Sequence, residues 1–89
     1  MKIAFTSEGF EEFLGLQRDE PSATKRLVRL IRDIQRDPFA GIGKPEPLRG
    51  NHSGYWSRRI TGEHRLIYRV STETNGEQVC LIVRCRYHY

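Results

Sequence analysis

The sequence predicts an α+β fold in which two N-terminal helices pack on one face of a small, mainly antiparallel, twisted sheet. Three observations predict it: a short apolar strand at residues 2–6, helical periodicity through residue 36, and alternating segments between residues 55 and 85. The order β-α-α-β-β-β places both helices on the same side of the sheet. A chain of 89 residues favours one domain, residues 1–89, rather than two.

The first helix is predicted to begin after Thr6 or Ser7. Either side chain can cap a helix, and acidic residues follow at Glu8 and beyond, where they suit the positive end of the helix. Three apolar residues recur at the spacing of one buried helical stripe: Phe10, Phe13 and Leu14.

The second helix is predicted after Pro21, which either ends the first helix or begins the second. Its apolar stripe is strongly amphipathic: Ala23, Leu27, Leu30, Ile31 and Ile34. Its outer face is basic: Lys25, Arg26, Arg29, Arg32 and Arg36. A basic face is typical of a core helix with a charged exterior, while membrane contact and an acidic partner stay open as alternatives. Asp37 and Pro38 are expected to end the helix.

Residues 38–54 are predicted to form a Pro/Gly-rich loop that is long for a compact domain. Such loops are usually functional or disordered. Pro45 and Pro47 stiffen the chain on both sides of Glu46, which favours an extended, ordered presentation of that carboxylate.

Two hairpins are predicted, with two-residue turns at Gly62-Glu63 and Asn75-Gly76. Alternation along the strands then divides the side chains between the two faces. The face toward the helices is expected to carry Tyr55, Leu66, Tyr68, Val70, Leu81, Val83, Cys85 and Tyr87. The opposite face is expected to carry Arg58, Arg65, Arg69, Arg84, Arg86 and His88, with Trp56, Ile60, Ile67 and Ile82 among them.

This register sets Arg65 directly opposite Arg86, and a like-charge pair destabilises a bare sheet. Two explanations of such a pair stay open. Either each arginine has a carboxylate partner, with Glu46 as the nearest candidate, or the two arginines together hold a phosphate. A one-residue bulge would remove the pairing altogether.

Cys80 and Cys85 are excluded as a local disulfide, because five steps along a strand separate them by ~16 Å and a disulfide needs Cα atoms within ~7 Å. No Cys/His grouping has the spacing of a zinc site, so no metal is expected. The sequence has no apolar stretch of membrane-spanning length and no apolar core of a signal peptide, which predicts a cytoplasmic protein. No membrane is expected among its partners, and surface contact through the second helix stays only an alternative.

The net charge of +4 is unevenly distributed along the chain. Residues 1–43 hold seven basic and seven acidic side chains, whereas residues 44–89 hold eight basic and four acidic ones. All but one of the cations in the second half are arginines, whose planar fork binds two phosphate oxygens at once. Interleaved aromatic residues make nucleic acid a candidate ligand, with a solvated sheet face as the alternative.

A cationic sheet face with a histidine, overlooked by a stiff segment bearing a glutamate, fits metal-free RNA cleavage. In that reaction a base removes the proton of the attacking 2′-hydroxyl, an acid protonates the leaving 5′-oxygen and cations stabilise the transition state. The candidates are Glu46 as base, His88 as acid and Arg65 as the stabilising cation.

Four segments of the chain resemble the Txe/YoeB family of bacterial toxins: Lys44-Pro45-Glu46-Pro47-Leu48, Ser53-Gly54-Tyr55-Trp56-Ser57-Arg58-Arg59-Ile60-Thr61, Glu63-His64-Arg65-Leu66-Ile67-Tyr68 and Cys85-Arg86-Tyr87-His88-Tyr89. The family belongs to the RelE-like, ribosome-dependent mRNA endonucleases. The resemblance implies a RelE-like fold and a type II toxin that cuts mRNA in the ribosomal A site without a cofactor. It also implies a YefM-like antitoxin, a homodimer, and contact with DNA only indirectly, through the antitoxin complex.

The resemblance also implies roles for individual residues. By position, Glu46 matches the proton acceptor, His88 the proton donor and Arg65 the phosphate-stabilising arginine. The substrate-binding residues expected beside them are Arg49, Arg59, Arg86 and Tyr89. Arg49 stands where the family often has lysine, which keeps the charge and changes its geometry.

Two other functions stay open. The arginine-rich second half fits a non-catalytic RNA- or ribosome-binding module that blocks translation, and the basic second helix fits a small interaction protein with an acidic partner. His64 is predicted to be a sheet-edge residue and Trp56 a packing or dimer-interface residue. The remaining arginines are expected to make general electrostatic contacts with RNA or solvent: Arg58, Arg69 and Arg84.

Overall fold

The computed structural model describes residues 1–87. Its elements follow in the order β1 (Lys2–Phe5), α1 (Ser7–Asp19), α2 (Pro21–Arg36), β2 (Glu46–Pro47), a 3-10 turn (Gly50–His52), β3 (Trp56–Arg59), β4 (Arg65–Thr72) and β5 (Gln78–Arg84). The five strands form one sheet in the order β1-β5-β4-β3-β2. Only β1, which pairs with β5, is parallel to its neighbour. The predicted α+β class is confirmed, and β2 is an additional strand within the predicted loop.

Local signals place both helices where the sequence predicts them. The backbone N–H of Gly9 donates to Thr6 Oγ1 at 3.0 Å, so Thr6 caps α1. Pro21 lies in the first turn of α2, where its missing N–H costs no helical hydrogen bond. Asp37 ends α2, and its backbone N–H donates to the carbonyl of Asp33 at 2.9 Å.

The core lies between the helices and one face of the sheet. The buried apolar residues that form it include Leu16, Ala23, Leu27, Leu30, Ile34, Ile60, Leu66, Tyr68, Cys80, Ile82 and Cys85. The apolar stripe predicted for α2 is confirmed by these contacts, with Ile31 packed at its margin.

The stripe predicted for α1 is wrong in two of its three positions. Phe10 and Leu14 are 46% and 44% exposed, and only Phe13 packs against the core. The reason is a close approach at Gly9, where a Cβ atom would lie 2.6 Å from the carbonyl oxygen of Ile82. Because α1 meets the sheet through a glycine backbone, its buried face is rotated away from the apolar periodicity.

The β3–β4 turn contains three residues, 61–63, rather than the predicted pair Gly62-Glu63. Thr61 Oγ1 accepts hydrogen bonds from the backbone N–H groups of Glu63 and His64, both at 3.1 Å. This side-chain capping of the turn stabilises the wider loop.

The β4–β5 turn is likewise three residues long, 74–76. The backbone N–H of Glu73 donates to the carbonyl of Glu77 at 2.8 Å, which closes the loop one residue outside the predicted position. Asn75 Oδ1 accepts from the N–H of Glu77 at 3.0 Å, and Gly76 has φ 87°. An αL glycine at the third position is typical of a three-residue hairpin loop.

A register shift of one residue turns a strand's side chains to the opposite face. Four residues predicted to face away from the helices therefore lie on the helix side: Trp56, Arg58, Ile60 and Ile82. Three residues predicted to face the helices lie on the other side: Tyr55, Leu81 and Val83. Packing of Trp56 against Phe39, with ring centroids 4.9 Å apart, confirms its expected packing role.

The predicted pairing of Arg65 with Arg86 is also wrong. β5 ends at Arg84, a bulge interrupts the β4–β5 ladder between Ile67 and Tyr68, and beyond it the backbone N–H of Arg65 donates to the carbonyl of Tyr87 at 2.9 Å. Among the described residues, Arg65 instead faces a like charge on β3, where it pairs with Arg59 at the end of the first hairpin.

Both cysteines are free, as the exclusion of a disulfide predicted, and both are buried. Burial raises the pKa of Cys80 and of Cys85 to about 12, so both thiols stay protonated and unreactive at neutral pH. Within residues 1–87, no helix is long and apolar enough to cross a membrane.

Arg58 is completely buried, although it was expected to contact RNA or solvent. Its guanidinium donates to five acceptors: Asp33 Oδ2 at 2.6 Å, Tyr68 Oη at 3.1 Å, and the carbonyls of Asp37 at 2.7 Å, Ala40 at 3.2 Å and Ile42 at 3.0 Å. Because three of these acceptors are backbone carbonyls, Arg58 fixes the segment that follows α2.

The Arg58 and Arg36 guanidiniums and the backbone N–H of Ile42 lower the pKa of Asp33 from 3.8 to about 2. A lowered folded-state pKa stabilises the protein fully above the unfolded-state value and loses that effect as pH falls through the folded-state value. We therefore expect the stability difference between the wild type and Asp33→Asn to narrow between about pH 4 and pH 2. Urea unfolding of both proteins measures this difference in unfolding free energy. A difference that stays constant between about pH 4 and pH 2 would contradict the lowered pKa of Asp33.

Candidate active site

A cleft of about 280 Å³ opens on the sheet face away from the helices. Its lining residues come from β2, β3, β4 and the segment after β2: Glu46, Leu48, Arg49, His52, Ser57, Arg65 and Ile67. Three residues predicted for the site, Glu46, Arg49 and Arg65, therefore lie around one cleft.

The strand register explains why Glu46 and Arg65 share this cleft. Glu46 pairs with Ser57 and Ser57 pairs with Ile67, so the three residues form a row across the sheet. Strands lie ~4.8 Å apart and rise ~3.3 Å per residue, so the Cα atoms of Glu46 and Arg65 are about 12 Å apart. Both side chains therefore project from the same sheet face into the cleft.

The cleft has a buried floor and a charged rim. Ser57 and Ile67 form the floor, with 2% and 3% of their surface exposed. Glu46 and Arg49 are exposed, and Arg65 is half-buried. A partly enclosed site of this kind strengthens the electrostatic interaction of an arginine with an anion relative to open water. The arrangement can bind a phosphate and place a proton acceptor beside it.

His52 also lines the cleft, although sequence reasoning assigned it no role. The 3-10 turn carries it there, directly after the segment anchored by a hydrogen bond from the N–H of Leu48 to the carbonyl of Tyr55 at 2.8 Å. A second depression, of about 290 Å³, shares His52 and Ile67 with the first and continues toward Tyr55 and Arg84. Nothing in the sequence pattern distinguished His52 from other loop residues.

The other predicted site residues have different positions. Arg59 is exposed and lies beside Arg65 in the sheet. Arg86 lies against the C-terminal end of α1, with Nη2 3.0 Å from Asp19 Oδ2, rather than on the cationic face where it was predicted. His88 and Tyr89 lie outside the described residues.

His64 is completely buried, so the prediction of a sheet-edge residue is wrong. Its Nδ1 accepts from the backbone N–H of Tyr87 at 2.8 Å, and its Nε2 lies 2.7 Å from Glu20 Oε2. Since Nδ1 accepts a hydrogen bond, the ring proton lies on Nε2 and is donated to Glu20.

Glu20, Glu63 and His64 place one ligand atom each within 4.8 Å of one another, which is close enough to hold a metal ion. The hydrogen bonds of His64 argue against that role. A cation at Nε2 would displace the ring proton while the N–H of Tyr87 still occupied Nδ1, which would require an imidazolate or loss of that hydrogen bond. The chemistry of these donors fits an anchored neutral histidine better than a metal ligand.

A family model described as "YoeB-like toxin of bacterial type II toxin-antitoxin system" matches residues 5–89. Toxin YoeB of Streptomyces coelicolor is 51% identical over 89 residues, which is the full length of both chains.

Solved structures of similar proteins have the same fold. The "YoeB/ParE toxin from Agrobacterium tumefaciens" superimposes with a TM-score of 0.93 at 45% identity, over the whole of both chains. YoeB of Staphylococcus aureus is 38% identical and has been solved as a dimer, with a TM-score of 0.87, and in complex with YefM, with a TM-score of 0.83. Both comparisons cover 100% of this chain and 98% of the other.

Proposed function

Because this chain belongs to the YoeB-like toxins of bacterial type II toxin-antitoxin systems, we propose that it is a ribosome-dependent endoribonuclease. In this proposal it enters the ribosomal A site, cleaves the mRNA there and so inhibits translation. The observation that carries the proposal is the cleft on one sheet face that is lined by both Glu46 and Arg65.

The proposed reaction is attack of an RNA 2′-hydroxyl on the adjacent phosphorus. Glu46 accepts the hydroxyl proton as the O–P bond forms, and His88 donates a proton to the 5′-oxygen as its bond to phosphorus breaks. The products are a 2′,3′-cyclic phosphate and a 5′-hydroxyl, so no water or oxidant enters this step. The assignment of His88 rests on its position in the sequence motif.

Arginines supply the positive charge that this reaction needs. Arg65, half-buried at the rim of the cleft, is assigned to the extra charge on the transition state. Arg49 and Arg59 bind flanking phosphates, and Tyr89 helps to orient the substrate. Arg86 is left out of this set because Asp19 holds its guanidinium. With three arginines at the site, the proposed step needs no metal ion.

The proposed partners follow from the family. An antitoxin of the YefM type neutralises this chain, since the similar toxin of Staphylococcus aureus is bound by YefM. A homodimer is proposed on the same basis, from the dimer of that toxin. A toxin that acts on translating ribosomes works in the cytoplasm and contacts DNA only through its antitoxin complex.

The chemistry of the cut ends tests the proposed function. Purified protein added to translating ribosomes should produce new mRNA fragments that carry a 5′-hydroxyl and a 2′,3′-cyclic phosphate. The same mRNA without ribosomes should stay intact. Inhibited translation with no new ends would favour the non-catalytic binding module, and fragments with 5′-phosphates would contradict attack by the 2′-hydroxyl.

A further inference from the structure

The backbone N–H groups of the segment that follows β5 are bound by side chains. The backbone N–H groups of Cys85 and Arg86 both donate to Glu12 Oε1, at 2.8 and 3.1 Å. The next N–H, of Tyr87, donates to His64 Nδ1 at 2.8 Å. Two side chains, one from α1 and one from the end of the first hairpin, thus bind three consecutive amides.

Tyr87 is also held in a conformation that bulky residues rarely adopt. Its φ is 61°, in the left-handed region. Its carbonyl accepts a hydrogen bond from the backbone N–H of Arg65 at 2.9 Å, so both main-chain groups of Tyr87 have fixed partners. A disfavoured backbone conformation persists only where the surroundings enforce it.

His64 is itself immobilised. It is 0% exposed, its Nε2–H donates to Glu20 Oε2 at 2.7 Å, and its ring centroid lies 5.2 Å from that of Tyr87. With both ring nitrogens engaged, rotation of the imidazole would break two hydrogen bonds. His64 therefore presents Nδ1 to Tyr87 in one orientation.

We infer that Glu12 and His64 are positioning residues that hold the main chain in place up to Tyr87. We call this pair the C-terminal clamp. The carbonyl carbon of Tyr87 is bonded to the nitrogen of His88, so fixing Tyr87 fixes the attachment point of His88. The inference rests on the proposed function, in which His88 is the general acid. An acid displaced by ~1 Å can lose about 100-fold in rate. The backbone N–H of Arg65 donates to the Tyr87 carbonyl. The residue that precedes the proposed acid is therefore bound to β4, the strand that carries the stabilising cation.

Two substitutions of His64 distinguish a positioning role of this residue from a packing role. Asn and Gln both remove the imidazole ring. In His64→Asn, the side-chain oxygen lies as many bonds from Cβ as Nδ1 does, so it can still accept from Tyr87. In His64→Gln, the side-chain nitrogen replaces Nε2 and reaches Glu20, while the acceptor for Tyr87 is lost. Only the second variant should release the C-terminal segment.

We expect His64→Gln to lower the kcat for cleavage of ribosome-bound mRNA by ~10- to 100-fold with KM unchanged. His64→Asn should lose less than about tenfold, because it keeps the positioning hydrogen bond. In a His88→Ala background, His64→Gln should cause no further loss, since no acid remains to be positioned. A purely structural role would slow both variants equally and would add to the His88→Ala effect, and either result overturns the inference.

Amide hydrogen exchange provides a readout that does not depend on cleavage. The N–H of Tyr87 should be protected in the wild type and in His64→Asn, and should exchange faster in His64→Gln. Unchanged protection in His64→Gln overturns the clamp whatever the rates show. If His88→Ala cleaves as fast as the wild type, the proposed acid is wrong, and the exchange data still decide whether the clamp exists.

Discussion

Replacing Glu46 by glutamine is expected to lower the kcat for cleavage of ribosome-bound mRNA by ~10²- to 10⁴-fold, the usual contribution of a general base. Glutamine has nearly the same shape but cannot accept the 2′-hydroxyl proton. Glu46 is exposed on a two-residue edge strand, so the free energy of unfolding should change by less than about 0.5 kcal/mol. Single-turnover cleavage and urea unfolding of the same preparation measure both quantities.

Glu11→Gln provides the matched control. Glu11 is an exposed glutamate on α1, on the helix side of the molecule, and its substitution should leave cleavage unchanged. If Glu46→Gln cleaves at the wild-type rate, Glu46 is not the base. If it unfolds at much lower urea concentration than Glu11→Gln, the loss of activity reflects stability rather than proton transfer.

The sequence predicted the elements whose boundaries depend on local interactions. The cap at Thr6 and the helix start at Pro21 depend on residues within one turn of the chain, and both are found. The apolar stripe of α2 is continuous from Ala23 to Ile34, so its buried face could be predicted from periodicity alone. Residue chemistry and family resemblance both pointed to Glu46 and Arg65, which line one cleft, and their catalytic roles stay predictions.

The register could not be predicted because it depends on one extra residue in each turn. Thr61 and Asn75 use their side chains to close three-residue loops where the Gly62-Glu63 and Asn75-Gly76 pairs indicated two. A difference of one residue reverses the faces of β3 and β5 while leaving the strands in place.

Besides the strand register, the burial of polar side chains could not be predicted from the sequence. Arg58 and Arg59 are adjacent and chemically identical, yet one is 0% exposed and the other lies on the surface. The burial of His64 is equally hidden, since its ring hydrogen bonds are made with Glu20 and Tyr87, which are distant in sequence. Only the tertiary arrangement shows which charges are paired and buried and which are exposed.

The structure accordingly predicts a large effect of replacing Arg58 on stability. Arg58→Met keeps much of the side-chain length but leaves three carbonyls without their guanidinium donor and leaves Asp33 with Arg36 as its remaining cation. Each buried acceptor left unsatisfied costs about 1–3 kcal/mol, so the total is a large fraction of the ~5–15 kcal/mol that holds a domain folded. The unfolding free energy from urea titration at pH 7 measures the loss.

Arg59→Met is the stability control, because it makes the same chemical change on the exposed side of the same strand and should cost less than about 0.5 kcal/mol. Arg58→Lys keeps the charge yet cannot reach five acceptors with three donors, so its stability should lie between Arg58→Met and the wild type. Equal stability of the Arg58 and Arg59 variants would contradict the buried role.

Replacing Arg58 should also affect the position of Glu46, since Arg58 anchors the carbonyls of Ala40 and Ile42 in the segment that leads to Glu46. Arg58→Lys, assayed at a temperature where it is fully folded, should therefore cleave more slowly than the wild type, because the base is held less firmly over the cleft.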